Sequence, residues 1–221
     1  MASVALRIAH RGMPRLAPEN TLASFALALD AGAQGIELDV HATRDGVVVV
    51  HHDPALRGGQ VIADESLSVL RDAAGTAGTE LPTLSEVCEL VRGTAELFVE
   101  IKGAGIERLV LDVMRGHEGP FAIHSFDHQL IARIHALDDT LRLGVLFEEP
   151  VDDVHALMRA TGATDVWPHA PLITASLVDA VHASAGRVIA WTVNDVPTAQ
   201  RLASLGVDGL CGDDVRIFAR L

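Results

Sequence analysis

The feature that most constrains the fold of this chain is a regular alternation of short apolar runs with segments of helical periodicity. Eight runs have the length and composition of buried β-strands: VALRIAH, GIELDV, LFVEIK, FAIHSF, LRLGVLF, DVWP, RVIAWTV and DGLCG. Segments such as TLASFALALDAGA and TLSEVCELVRG lie between them, with apolar residues about every 3.6 positions, as in amphipathic helices. Strands that alternate with helices form parallel sheets. Eight such units predict a (β/α)8 TIM barrel rather than an open, doubly wound sheet.

The size and composition of the chain fit a single TIM-barrel domain over residues 1–221. Hydrophobic residues make up 49% of the chain, which is enough for a large core and excludes a disordered protein. The formal net charge of −13 argues against nucleic acid or an anionic membrane as a partner, because both require a basic surface. We therefore expect a small-molecule substrate, no nucleic-acid partner, no stable membrane anchoring, and a monomer or homodimer.

Cysteine usage and the N-terminal residues bear on the cellular compartment. Cys88 and Cys211 are isolated and lack metal-type spacing, which fits a reducing environment. No apolar run has the length of a membrane span, and MASVALRIAHRG has no long apolar segment after a basic patch, so its apolar residues read as a strand. These features predict a cytoplasmic protein.

One further strand candidate, VVVVHH, follows GIELDV after only the six residues HATRDG. That connection is too short for a parallel crossover, so the two runs must form an antiparallel hairpin as an extension after the second strand. Asp45 and Gly46 are a favoured two-residue hairpin turn, since both tolerate positive φ. With this turn, Arg44 pairs with Val47.

Continued outward from the turn, the same register places Asp39 opposite His52. Because side chains alternate along a strand, Glu37, Asp39 and His52 are expected on one face of the hairpin, with His51 on the other. The segment that follows, at about 54–80, is irregular and rich in Gly, Ala and Asp, and is expected to be a short excursion from the barrel.

Ionisable residues concentrate at the carboxyl ends of the first three barrel strands, where the catalytic groups of parallel barrels gather. They are Glu37, Asp39, Glu100, His10, Arg11 and Lys102, with His52 on the hairpin. Neighbouring carboxylates repel one another unless a cation lies between them, and hard oxygen ligands suit one Mg²⁺ or Ca²⁺. The basic groups suit a phosphate that shares this cation, and two histidines can transfer protons near neutral pH, as phosphodiester cleavage requires.

Other polar residues have simpler expected places. His124 and His169 end strands and are candidates to line the barrel mouth, while Asp213 and Asp214 are expected to close the last strand and cap the next segment. The other histidines are assigned to exposed faces or helix surfaces: His41, His117, His128, His135, His155 and His182.

Seven short motifs occur in order along the chain: HRG at 10–12, PENT at 18–21, ELDV at 37–40, HDP at 52–54, LPTLSEV at 81–87, VEIK at 99–102 and WTVN at 191–194. Together they resemble the glycerophosphodiester phosphodiesterase family, and because they cover nearly the whole chain they are far more specific than any single motif. The resemblance implies a TIM barrel that hydrolyses glycerophosphodiesters to glycerol 3-phosphate and an alcohol, in two steps through a cyclic phosphate, with a divalent cation.

The resemblance also implies a role for individual residues. These roles are acid–base catalysis by His10 and His52, cation binding by Glu37, Asp39 and Glu100, phosphate binding by Arg11 and Lys102, and packing against glycerol by Trp191. In PENT, either Asn20 or Thr21 is suited to cap the helix that follows.

The sequence departs from the family after HDP, where ALRGGQVIADESL is short and lacks the threonine of the family's Arg-Thr pair. Because this segment helps to roof the site in the family, the sequence does not determine the size or identity of the alcohol that the site accepts. One alternative is a related TIM-barrel phosphodiesterase that acts on lysophospholipids or phosphoinositides. Another is a non-catalytic relative that binds metal or phosphate, although the retained histidines and carboxylates argue against it.

Overall fold

The computed structural model describes residues 5–221, in which nine strands form one sheet. The strands are β1 (Leu6–His10), β2 (Gly35–Ala42), β3 (Val48–Val50), β4 (Glu96–Ile101), β5 (Phe121–Ser125), β6 (Leu143–Phe147), β7 (Asp165–Pro168), β8 (Arg187–Ala190) and β9 (Gly209–Gly212). β3 pairs with β2 in antiparallel orientation, and the other eight strands are parallel and close into a barrel in which β9 pairs with β1. The predicted TIM barrel and its eight strands are therefore confirmed. The predicted start of the first strand, at Val4, lies outside the described residues.

Eight α-helices lie between the strands within residues 5–221. They are α1 (Leu22–Asp30), α2 (Leu67–Thr76), α3 (Leu84–Val91), α4 (Glu107–Met114), α5 (His128–Leu137), α6 (Val154–Thr161), α7 (Ala175–Ala183) and α8 (Val196–Ser204). Thr21, not Asn20, caps α1, because its hydroxyl accepts the Ser24 N–H at 3.2 Å. Within residues 5–221 no helix combines the length and apolar character that crossing a bilayer requires.

The strand alternation explains where the barrel core ends and polar residues begin. The apolar plug inside the barrel consists of Ile8, Phe98, Ala122, Leu146, Trp167, Ile189 and Cys211. Because side chains repeat every second residue, the inward position after each plug residue lies nearer the carboxyl end of its strand. Those positions include His10 after Ile8 and Glu100 after Phe98. A polar layer thus lies directly on the plug, at the barrel mouth.

The turn between β2 and β3 has three residues, so the predicted two-residue turn of Asp45 and Gly46 is wrong. The Thr43 N–H donates to the Val47 carbonyl oxygen at 2.9 Å, and this pair encloses residues 44–46. The Thr43 hydroxyl stabilises the wider loop by accepting the Val47 N–H at 3.0 Å and donating to the Asp45 carboxylate at 2.6 Å. Gly46 has a φ of 78°, the left-handed backbone that such a loop requires at its last position.

This extra turn residue shifts the strand register by one. Val40 pairs with Val50, so Asp39 lies opposite His51 instead of the predicted His52. The His51 N–H donates to the Asp39 carbonyl oxygen at 3.0 Å, and the chain then bends out of the ladder. His52 therefore reaches the barrel mouth from a bend and not from a paired strand.

Residues 54–80 form the predicted excursion and pack against the hairpin. Ile62, Leu70 and Ala74 are buried together with Val49 of β3 in a separate small cluster. This apolar contact holds the excursion beside the barrel.

A buried ion cluster closes the amino-terminal end of the barrel, opposite the mouth. Arg187, at the start of β8, lies 2.6 Å from Asp165 Oδ2 and 2.8 Å from Glu96 Oε1. Asp165 is fully buried, and burial raises the pKa of this carboxyl despite the guanidinium beside it. The protonation of Asp165 therefore depends on the charges of Arg187 and Glu96 beside it.

Replacing Asp165 by alanine is expected to lower the free energy of unfolding by about 3 kcal/mol, because the partly buried Arg187 loses one of its two carboxylates. Urea unfolding measures the change. Asp179→Ala removes an exposed carboxylate on α7 and is the matched control, with an expected change within about 0.5 kcal/mol. Equal free energies of unfolding for the two variants would show that the cluster does not stabilise the barrel.

Candidate active site

A cavity of about 270 Å³ opens at the carboxyl ends of the barrel strands. Seven of the eight predicted site residues line it: His10, Arg11, Glu37, His52, Glu100, Lys102 and Trp191. The eighth, Asp39, is fully buried behind the lining. No residue from 54–80 is among the residues that line this cavity.

His10 ends β1 and is held by a carboxylate that follows the last barrel strand. Its Nδ1 lies 2.8 Å from Asp213 Oδ1, and the Asn194 side-chain amide donates to Asp213 Oδ2 at 2.6 Å. Burial alone would lower the pKa of His10, but the hydrogen bond to Asp213 and the charge of Glu37 raise it above its ordinary value. A protonated ring that donates from Nδ1 to Asp213 leaves Nε2–H as its second proton donor.

The Asp39 carboxylate is bound by residues of the HRG and PENT motifs. Arg11 Nε lies 3.1 Å from Asp39 Oδ2, and the Asn20 amide donates to the same oxygen at 2.8 Å. Burial alone would raise the pKa of Asp39, but the Arg11 guanidinium holds it below its ordinary value. Lys102 Nζ is 3.7 Å from Asp39 Oδ1, an oxygen that has no hydrogen-bond donor among the described residues.

Glu37 and Glu100 are the buried carboxylates of the cavity wall. One oxygen of Glu37 accepts the backbone N–H of Arg11 at 3.1 Å, and Glu100 Oε1 lies 3.1 Å from Lys102 Nζ. Burial and the negative charge of Asp39 raise the pKa of Glu100 to about 8. This crowding of negative charge indicates a site suited to a cation.

His52 lies at the mouth beside Lys102. Its Nε2 is 3.2 Å from Lys102 Nζ and its Nδ1 is 2.8 Å from Asp53 Oδ1. An ammonium group only donates, so Nε2 accepts and the neutral ring carries its proton on Nδ1. His41 is buried, contrary to its assignment to an exposed face, and its Nε2 lies 3.1 Å from the His52 carbonyl oxygen, where it supports the bend. His51 instead contacts the Asp53 carbonyl oxygen and is not among the cavity-lining residues.

His124, on β5, forms a buried group with Glu37 and Glu100. One potential ligand atom from each of these residues lies within 4.8 Å of the other two. Neither ring nitrogen of His124 has a hydrogen-bond partner in residues 5–221, although the ring is fully buried. Two carboxylates and a free imidazole are a donor set for a divalent cation, so the residues fit the cation that the family implies.

Two aromatic residues form the outer rim of the cavity. The Trp191 indole N–H donates to the Trp167 carbonyl oxygen at 2.9 Å, and the ring centroids of Trp191 and Phe126 are 5.4 Å apart. The Lys102 ammonium lies 5.9 Å from the Phe126 centroid. The rim therefore offers an apolar surface next to cationic groups.

Four residues of the site were not predicted by sequence reasoning, or only weakly. Asp214 caps the segment after β9 by accepting the Arg216 N–H, as expected, whereas Asp213 contacts His10 instead. Phe126 and Asn20 carried no site prediction, and His124 was only a candidate for the mouth. The signal for His124 is its place two residues after Ala122, in the same inward row as the plug.

The chain matches the model of the glycerophosphoryl diester phosphodiesterase family over residues 10–217. A glycerophosphodiester phosphodiesterase of Caldanaerobacter subterraneus subsp. tengcongensis is 33% identical, with 98% of this chain and 97% of the relative covered. A glycerophosphodiester phosphodiesterase of Bacillus altitudinis is 31% identical over 93% of each chain. The structure of an Oleispira antarctica phosphodiesterase in complex with its product sn-glycerol-3-phosphate is similar, with a TM-score of 0.87, 27% identity, and coverage of 96% of this chain and 94% of that one.

Proposed function

Because the chain belongs to the glycerophosphoryl diester phosphodiesterase family, we propose that it hydrolyses glycerophosphodiesters to glycerol 3-phosphate and an alcohol. One observation carries the proposal: the basic and acidic groups that this reaction needs line a single cavity, namely His10, His52, Arg11, Lys102, Glu37 and Glu100. The product that the Oleispira antarctica enzyme binds supports glycerol 3-phosphate as the product here.

A divalent cation belongs to this proposal, held by Glu37 and Glu100 with Asp39 behind them, whose Oδ1 has no donor in the described part of the chain. When bound, the cation supplies Lewis acidity toward the phosphate oxygens and neutralises the carboxylates. Oxygen ligands alone would suit Mg²⁺ or Ca²⁺. Arg11 and Lys102 bind phosphate oxygens and stabilise the negative charge that develops on them.

In the first step, the free glycerol hydroxyl next to the phosphoester attacks phosphorus. His52 takes the hydroxyl proton at Nε2 once Lys102 has turned from this nitrogen to a phosphate oxygen, while the charged His10 gives its Nε2 proton to the leaving alcohol. A new P–O bond to glycerol forms, the P–O bond to the alcohol breaks, and a cyclic phosphate results. Trp191 packs against the glycerol carbons during this step.

In the second step, water opens the cyclic phosphate with the histidine roles exchanged. His10 is now neutral and takes a proton from water, and His52 is charged and protonates the glycerol oxygen that leaves phosphorus. Each histidine thereby returns to its starting state. Asp213 holds His10 in one orientation through both steps.

A panel of substrates tests the proposed function. Glycerophosphocholine, glycerophosphoethanolamine, glycerophosphoglycerol and lysophospholipids would each be assayed with Mg²⁺, Ca²⁺ or Mn²⁺, and glycerol 3-phosphate measured. We expect its release from at least one glycerophosphodiester. Cleavage of lysophospholipids alone would show that the activity is that of a related lipid-cleaving phosphodiesterase. No cleavage of any substrate would favour a non-catalytic binding protein.

Replacing Asp213 by asparagine is expected to lower kcat/KM about tenfold or more and to shift its pH profile. His10 must be protonated to act as the acid, so activity falls as the pH rises through the pKa of His10. Asp213 raises that pKa, and its neutral replacement lowers it. The alkaline limb of the profile therefore moves to lower pH, as measured at saturating cation.

The matched control for this experiment is Asp214→Asn, which removes a neighbouring carboxylate that bonds Arg216 instead of His10. Its pH profile should coincide with that of the unmodified protein. An unchanged alkaline limb in Asp213→Asn would exclude His10 as the acid of the first step.

A further inference from the structure

We propose that His124 is a direct nitrogen ligand of the active-site cation, so that this protein prefers a first-row transition cation such as Mn²⁺ or Co²⁺ over Mg²⁺ and Ca²⁺. The inference rests on the proposed function only in using the same cavity and the same cation. It differs from an all-oxygen site of Glu37, Asp39 and Glu100 in both ligand type and metal class.

The strongest observation is an imidazole that is buried without a partner. His124 has no exposed surface, and neither Nδ1 nor Nε2 has a hydrogen-bond partner in residues 5–221. A buried polar group without a partner is costly, and native proteins nearly always satisfy it with protein, water or an ion. His124 lines the cavity, and its Nε2 lies 3.7 Å from Glu37 Oε1, so a cation between them would satisfy both groups.

The distances within the group fit one shared ion. The ligand atoms of Glu37, Glu100 and His124 lie within 4.8 Å of one another. Ligands at about 2.1–2.5 Å from one ion lie about 3.0–3.5 Å apart when they are adjacent and about 4.2–5 Å apart when they are opposite. The separations in the group, including 3.7 Å between His124 Nε2 and Glu37 Oε1, therefore fall in the range of ligands that share one cation.

The His124 ring is held in place by Trp167. The two rings stack with centroids 4.4 Å apart and an interplanar angle of 10°. Trp167 is 1% exposed and belongs to the apolar plug of the barrel, so it fixes the plane of the imidazole from below. A ligand with a fixed ring plane loses little rotamer freedom when a cation binds.

Asp39 is the carboxylate that is least available as the third ligand. Its Oδ2 is already occupied by Arg11 and Asn20, at 3.1 and 2.8 Å. Its Oδ1 lies 3.7 Å from the Lys102 ammonium, which is also 3.1 Å from Glu100 Oε1, so the occupied Oδ2 is what distinguishes Asp39 from Glu100. Neither nitrogen of His124 has a hydrogen-bond partner in the described part of the chain, so no such contact must break before it binds a cation.

The chemistry of the ligand set leads to the metal preference. Carboxylate oxygens bind Mg²⁺, Ca²⁺ and Mn²⁺, whereas imidazole nitrogen binds first-row transition cations much better than Mg²⁺ or Ca²⁺. A site of two carboxylates and one imidazole should therefore discriminate in favour of Mn²⁺ and Co²⁺.

The decisive measurement uses the unmodified, full-length protein with Mn²⁺ as the probe. Pulsed electron paramagnetic resonance of bound Mn²⁺ is expected to show the ¹⁴N modulation of a directly coordinated imidazole. Competition against Mg²⁺ and Ca²⁺, read from the signal of free Mn²⁺, is expected to give at least tenfold tighter binding of Mn²⁺. Bound Mn²⁺ without nitrogen modulation would overturn the inference, whether or not any variant folds.

Two variants extend this test. His124→Asn replaces the imidazole by an amide and is expected to weaken Mn²⁺ binding at least tenfold while changing Mg²⁺ binding less than threefold. His169→Asn changes the histidine that directly follows β7, which is not a lining residue, and should leave both affinities and the nitrogen signal unchanged. Loss of both affinities to the same extent in His124→Asn would show that His124 supports the fold and not the choice of metal.

Failure of this inference can be told apart from failure of the proposed function. Release of glycerol 3-phosphate with bound Mn²⁺ that lacks a nitrogen signal would leave the function and remove His124 from the ligand set. A nitrogen signal without cleavage of any phosphodiester would support the site and refute the activity.

Discussion

Replacement of His52 by alanine is expected to lower the turnover number for glycerol 3-phosphate release at least about 10²-fold, the loss typical of a missing acid–base group. In the proposed first step its Nε2 takes the proton of the attacking hydroxyl, and the neighbouring Lys102 ammonium only donates. Steady-state kinetics measure the loss. Folding should be intact, because His52 lies in a bend outside the strand ladder.

His51→Ala is the matched control, since it removes the adjacent histidine, which is not a lining residue of the cavity. Its turnover number should stay within a factor of about two of the unmodified protein, and thermal unfolding of both variants should be similar. Comparable turnover by the two alanine variants would remove His52 from the mechanism.

Removal of divalent cations by a chelator is expected to lower glycerol 3-phosphate release at least about 10³-fold, because the Lewis acid supplies several kcal/mol of transition-state stabilisation. The side chains themselves add a second reason. Without a cation, burial and the negative charge of Asp39 raise the pKa of Glu100 to about 8, so this carboxyl is largely protonated near neutral pH and the site lacks the positive charge that would bind an anionic substrate. Release of glycerol 3-phosphate after dialysis against chelator measures the effect.

Addition of Mg²⁺, Ca²⁺ or Mn²⁺ in excess of the chelator should restore activity, and the chelator already saturated with Ca²⁺ is the control for inhibition by the chelator itself. A metal-free sample that keeps its full activity would refute the requirement for a divalent cation. The same sample should remain folded, because the apolar plug and the bottom ion cluster need no cation.

Much of the site could be predicted because the signals that build it are local. Within β1 and β4, an inward apolar residue is followed two positions later by an inward polar one, as in Ile8 to His10 and Phe98 to Glu100. The closed order of parallel strands then brings these polar residues to one mouth. Residue type and alternation were therefore sufficient to predict this part of the cavity wall.

The errors arose where a side chain made a bond that spacing does not encode. The Thr43 hydroxyl stabilises a three-residue turn, which moved the register by one and placed His51 opposite Asp39. His52 nevertheless lines the cavity, because the bend after His51 redirects the chain. Its place is thus a property of a loop, and strand alternation could not have predicted it.

Long-range partners were the second kind of omission. Asp213 is 203 residues from His10, and only the pairing of β9 with β1 brings their side chains together. Asn20 lies next to a good helix cap, and that local explanation hid its hydrogen bond to Asp39. Both contacts depend on tertiary structure, which a single sequence reveals only through the fold.

The meeting of the first and last barrel strands makes the proposed catalysis depend on closure of the barrel. Glu37 and Glu100 lie on the neighbouring strands β2 and β4, so their approach does not require β9. His10 acquires its carboxylate partner only when β9 docks on β1, and this is the contact of greatest sequence separation at the site. A barrel open at this one seam would thus keep the carboxylates of the proposed cation site but leave His10 without its partner. The proposed activity therefore requires a closed barrel, whereas the proposed cation site does not require the pairing of β9 with β1.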